Sequence, residues 1–186
     1  MRELSARAVD PEEPSAEAEM DLPARQRLSI LVRAVTDLPT IEIGAHRGLF
    51  ADIVAQLTAY PDLRGLALTV AARAIDWEAP LPGLEAVIGL VDEPLRCADL
   101  RSAVAEAVAR HSDPPTPALS EAVDEILMRD TLAAGTAALT VVAWAGPQAG
   151  WNALWRNKLR VLRTNPSLTL AGWARDIVTG PPTEPR

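Results

Sequence analysis

Cysteine, lysine and aromatics other than tryptophan are the scarce residues of this chain. With Cys97 the sole cysteine among 186 residues, no internal disulfide can form, which excludes a disulfide-stapled secreted scaffold. His46 and His111 are the only histidines, too few and too far apart for the clustered ligands of a zinc site. No glycine-rich phosphate loop occurs either, since Gly146, Pro147 and Gly150 do not form one. No metal and no cofactor are therefore expected. Residues Met1–Arg7 lack the apolar core of a secretory signal, so the expected setting is a reducing, cytoplasmic one. Lys158 is the only lysine among 18 basic residues, and Phe50 and Tyr60 stand alone beside five tryptophans. The tryptophans must supply most of the large-ring packing.

What is present is apolar and acidic. A hydrophobic content of 48% supports a folded core, and the net charge of -7 opposes a protein that coats nucleic acid. The charge is unevenly spread. Residues 1–23 carry seven acids (Glu3, Asp10, Glu12, Glu13, Glu17, Glu19 and Asp21) against Arg2 and Arg7, so this stretch holds five of the seven net negative charges. With Pro11, Pro14 and Pro23 and few large apolar side chains, it reads as a flexible acidic arm. Residues 24–180 read as a helical domain and 181–186 as a flexible tail. Three prolines in Ser112–Pro117 divide the domain into halves 24–112 and 117–180.

Helical spacing dominates this domain. Leu28, Leu31, Val32 and Val35 form one stripe, and Leu49, Phe50, Ile53, Val54 and Leu57 another. Ile41 and Ile43 alternate with polar residues, so 40–44 is the one place for a short extended segment. A third helix through Leu63, Leu66, Val70, Ala74 and Trp77 competes with a buried strand over Leu66–Val70. Pro80–Gly83 reads as a turn before Leu84, Val87, Ile88 and Val91. Cys97, Leu100, Val104 and Val108 line the next helix, with Arg101 and Glu106 off its apolar face. Thr116-Pro117 is an N-cap and first-turn pair for a helix facing inward through Leu119, Val123, Ile126 and Leu127. The last helix carries Leu170, Trp173, Ala174 and Ile177 to about Val178, before Gly180-Pro181. The expectation is an all-α, compact multi-helix bundle of about seven or eight helices. No internal repeat of fixed period appears.

The 25 residues from Thr131 to Trp155 carry no charge. Alanine and threonine dominate them and Gly146-Pro147 interrupts them, which opposes a membrane span and favours a central buried helix over 131–145. Its small residues would equally suit a subunit interface.

Functional signals are sparse. The residues around Cys97 form no nucleophile turn, and a helical cysteine on an apolar face reads as core. No carboxylate pair stands out by spacing, so the chain leans away from an enzyme. The most distinctive segment is Trp151–Arg163. Trp151, Leu154, Trp155, Leu159 and Leu162 follow helical spacing, while Arg156, Lys158, Arg160 and Arg163 form the only concentrated basic cluster. Those four cations with Trp151 and Trp155 are the candidate binding residues, and an acidic protein surface is the partner they would meet. The reading is a non-catalytic, soluble helical interaction, adaptor or assembly protein that binds a protein partner or a second copy. One alternative is a nucleic-acid-associated regulator using helix 151–163. Another is a small enzyme or ligand-binding bundle with a pocket lined by Trp144, Trp151, Trp155 and Trp173.

Overall fold

The computed structural model describes residues 46–91, 96–111 and 113–179, preceded by 26, 28–30, 32, 33 and 37. The expected acidic arm 1–23, the extended segment near 40–44 and the tail 181–186 lie outside the described residues. Helical residues 26, 28–30, 32 and 33 come first. Eight helices follow: α1 (Arg47–Thr58), α2 (Arg64–Arg73), α3 (Pro80–Gly89), α4 (Cys97–Ala109), α5 (Pro117–Leu127), α6 (Leu132–Gln148), α7 (Ala153–Arg163) and α8 (Leu168–Asp176). A 3-10 turn at Pro61–Leu63 leads into α2. The fold is all-α, and no strand occurs among the described residues.

The larger core gathers buried side chains from Leu68 to Ala174, on both sides of the proline-rich segment. The smaller one joins Val32, Phe50, Leu57, Leu63, Ala67 and Val70. Helix α2 belongs to both. It turns Ala67 and Val70 to the small core and Leu68 and Ala72 to the large one. Burial on two sides removes the apolar–polar alternation that identifies a surface helix, which is why Leu66–Val70 also looked like a strand. The helix stops at Arg73, so Trp77 packs from the loop beyond it. In α1, Phe50 and Leu57 are buried and Ile53 and Val54 partly so, whereas Leu49 faces outward.

Two proline positions correct the reading of the sequence. Pro80–Gly83 is the first turn of α3, not a separate loop. Pro80 sits where a helix needs no N–H, and Gly83 lies against Ile75, where an added Cβ would come within 3.1 Å. Similarly, α6 runs past Gly146-Pro147 to Gln148. Proline removes the N–H that would reach four residues back and crowds that carbonyl, and at Pro147 only Gln148 of the helix lies beyond the disturbance. The chain then reverses through Gly150, whose φ is 60°. The Trp151 N–H donates to the Gly146 carbonyl at 2.7 Å and the Gly150 N–H to the Pro147 carbonyl at 3.1 Å. These paired bonds are those of a Schellman closure, and the Trp151 ring folds back onto Gly146, as such closures favour.

Polar side chains start the later helices. Thr116 accepts from the Leu119 N–H, Thr131 from Ala134, Asn152 from Trp155 and Ser167 from Leu170. Helix α6 is the axis of the larger core and packs on α3, α4, α5, α7 and α8. It is buried from Ala133 to Val142. Alanines and Gly135 let neighbours approach closely, and the Leu170 side chain occupies the space that a Cβ on Gly135 would need. No helix among the described residues is long and apolar enough to cross a membrane.

Candidate functional site

The structure turns the basic cluster largely inward. Helix α7 buries Trp155, Lys158, Leu159 and Leu162, so Lys158 stands on the apolar face. Its side chain is 2% exposed. The Lys158 ammonium donates to the Ser120 carbonyl at 2.9 Å, pairs with Asp124 at 2.5 Å and lies 5.8 Å from the Trp155 ring centroid. The Arg163 guanidinium closes the end of α8, donating to the Ala174 carbonyl at 3.1 Å and the Ile177 carbonyl at 2.6 Å. That clamp coincides with the helix ending at Asp176, short of the expected Val178. Arg156 donates to the Trp151 carbonyl, and exposed Arg160 donates to Asn157. Trp151 and Trp155 are both buried. Of the six candidate binding residues, Arg160 alone is exposed, and the six do not converge on one surface.

Indole chemistry gathers elsewhere. A groove of ≈ 460 Å³ runs between α4, α6 and α8. Arg101, Ala105 and Val108 line it from α4, and Leu139, Thr140, Ala143 and Trp144 from α6. Trp173 of α8 and the following Ile177 complete the wall. The residues from α4 recur at intervals of four and three, which puts them on one face beside the buried stripe of Leu100 and Val104. Two of the four tryptophans expected in a pocket, Trp144 and Trp173, are here, whereas Trp151 and Trp155 belong to the core.

The polar inventory of the groove is small. The Thr140 hydroxyl donates to the Thr136 carbonyl at 2.8 Å. The Arg101 guanidinium lies 5.1 Å from the Trp173 ring centroid, a cation–π contact. At the far end His111 stacks on Trp77, with centroids 5.6 Å apart, and meets Trp144 at 5.8 Å. An aromatic row thus runs from the buried Trp77 to the groove wall.

Cys97 sits apart from this row, buried at the start of α4. Burial pushes its thiol above the ordinary value, and a hydrogen bond with Thr136 offsets part of that rise. Its surroundings therefore oppose the thiolate that nucleophilic chemistry needs. No group of three His, Cys, Asp or Glu side chains able to hold a metal occurs among the described residues. Arg101 is the groove residue whose placement the sequence hid. Its position outside the apolar stripe was legible, but the Trp173 that meets it lies on another helix, 72 residues along the chain. Compared with protein-family models, curated proteins and solved structures, the chain finds no match.

Proposed function

We propose that this chain is a non-catalytic helical binding protein that seats an apolar ligand in the groove between α4, α6 and α8. The observation that carries this reading is the lining itself. Trp144, Trp173, Leu139, Val108 and Ile177 offer a continuous apolar wall, and the volume falls within the range of small-molecule sites. None of the lining residues is a carboxylate, imidazole or thiol, so the groove offers binding surface without an acid–base pair. A neutral fluorescent naphthylamine is the direct test. It should bind with one-to-one stoichiometry and brighten on transfer from water. Ala105→Trp, which fills the groove from an exposed position on α4, should abolish binding while leaving the helical circular dichroism intact. Equal binding to parent and variant would sink the reading.

One observation favours a protein-interaction reading as the alternative. Leu154 and Val161 stand one heptad apart on α7 and are each about half exposed, with Arg160 beside them. As a self-association surface this face should give a concentration-dependent dimer in sedimentation, lost in the Leu154→Asp, Val161→Asp double variant. A monomer at all concentrations would remove the self-association form of this reading. Nucleic-acid regulation through 151–163 has less support, because Lys158 and Arg163 spend their charge within the protein.

A further inference from the structure

Among the described residues, arginines are almost all committed. Arg47 pairs with Asp76, Arg110 with Glu106, Arg129 with Glu85, and Arg96 donates to the Pro61 carbonyl. Arg156, Arg160, Arg163 and Arg175 donate to carbonyl or amide oxygens. Arg33, Arg64 and Arg73 are engaged as well. Arg101 is the exception: among the described residues it forms neither a hydrogen bond nor an ion pair, and its contact is with the ring of Trp173. A ring contact consumes none of the five N–H donors of a guanidinium.

We infer that the groove takes an apolar carboxylate, an amphiphile whose hydrocarbon body lies along Trp144, Leu139 and Val108 and whose head group is held by Arg101. This inference rests on the groove being the binding site. Its chemistry follows from charge complementarity. Arg101 is the only charged residue of the lining, so a cationic head would be repelled, a neutral one would gain no ionic partner, and a carboxylate would gain one. The guanidinium fork matches a carboxylate in two parallel hydrogen bonds. Length sets the body. From Arg101 to Val108 the α4 wall covers two turns, about 10 Å at 1.5 Å per residue, which suits an unbranched chain of roughly ten carbons. Trp173 holds the guanidinium at the groove and gives the first methylenes an aromatic face.

The test uses decanoate, 1-decanol and decylammonium as probes of one body with three head groups. The five indole N–H signals in a nitrogen-proton correlation spectrum, assigned by single Trp→Phe variants, report where each binds. Decanoate should move the Trp144 and Trp173 signals saturably and bind about five- to tenfold tighter than decanol. Decylammonium should bind more weakly than decanol. Octanoate and hexanoate should lose about fourfold in affinity per methylene removed. Arg101→Gln should bring decanoate down to the affinity of decanol, and added salt should narrow the advantage in the parent. Equal binding of decanoate and decanol, or an advantage that survives Arg101→Gln, overturns the carboxylate inference. In that event decanol binding that Ala105→Trp abolishes would leave the groove reading standing. Absence of binding by all three probes would take both down. Movement of the Trp151 and Trp155 signals to the same extent would mean a loosened core and would also count against the inference.

Discussion

Gly146→Ala should destabilise the protein by about 2 kcal/mol, although the same change at Gly172 should stabilise it. Alanine is intrinsically better than glycine inside a helix by about 1 kcal/mol, so both substitutions begin with the same favourable contribution. The difference lies in what the new methyl meets. At Gly172 in α8 a Cβ finds no atom within 4 Å, so the gain in helix propensity is retained. At Gly146 it would stand 2.3 to 2.5 Å from three carbons of the Trp151 ring. That ring is buried, and its backbone is already held at a φ of 50° by the reversal after α6. A rigid indole cannot fold away as a leucine tip can, so the closure must shift, at a typical overpacking cost of about 1–3 kcal/mol or somewhat more. Thermal unfolding should show the melting point of Gly146→Ala falling by about 4–8 °C and that of Gly172→Ala rising by about 2–4 °C. Equal shifts of the same sign would mean that Trp151 does not pack as described.

The second large effect comes from a residue that looks like surface. Asp124 is 56% exposed, yet Asp124→Ala should cost about 2–3 kcal/mol. The reason is Lys158, whose buried ammonium would be left with the Ser120 carbonyl as its remaining oxygen partner. Removing the anion strands a cation out of water, and the penalty is moderated because the pair lies near the surface. Lys158→Met keeps the stem's apolar packing and removes the charge. The Asp124→Ala, Lys158→Met double variant should therefore be more stable than Asp124→Ala alone. Denaturant unfolding of the four proteins of this cycle measures the coupling directly. If Asp124→Ala behaves as an ordinary surface substitution, within about 0.5 kcal/mol of the parent, the buried cation does not depend on it.

Those two sites also mark where the sequence was readable and where it was not. Apolar spacing located α4 and α5, and Thr116-Pro117 fixed the start of α5, because both signals are local. The uncharged run gave the central helix for the same reason, although its end moved three residues past Ala145. Gly146-Pro147 looked like a stop because the effect of proline depends on how many helical residues follow, and only Gln148 does. Lys158 was grouped with the nearby arginines by proximity along the chain. Its actual partners, Ser120 and Asp124, lie on α5, more than thirty residues earlier. Charge clusters in a sequence do not say which side chains a helix turns inward. The groove was half legible: the excess of tryptophan pointed to an indole-lined site, but the split between Trp144 and Trp173 on its wall and Trp151 and Trp155 in the core is set by packing between helices.

The two-sided burial of α2 has a consequence for how the molecule opens. A helix shared by two cores couples them, so neither face of α2 can be wetted without breaking a cluster. Helix α1 is different: it packs on α2 and on the 3-10 turn and contributes to the small core alone. Opening of α1 therefore requires only the smaller set of contacts to break, whereas exposure of the α2 amides requires both sets. In hydrogen exchange, α1 should therefore belong to a shallow, locally opening unit and α2 to the deep one that exchanges with global unfolding. The expected boundary of cooperative unfolding lies between two helices that pack directly on each other.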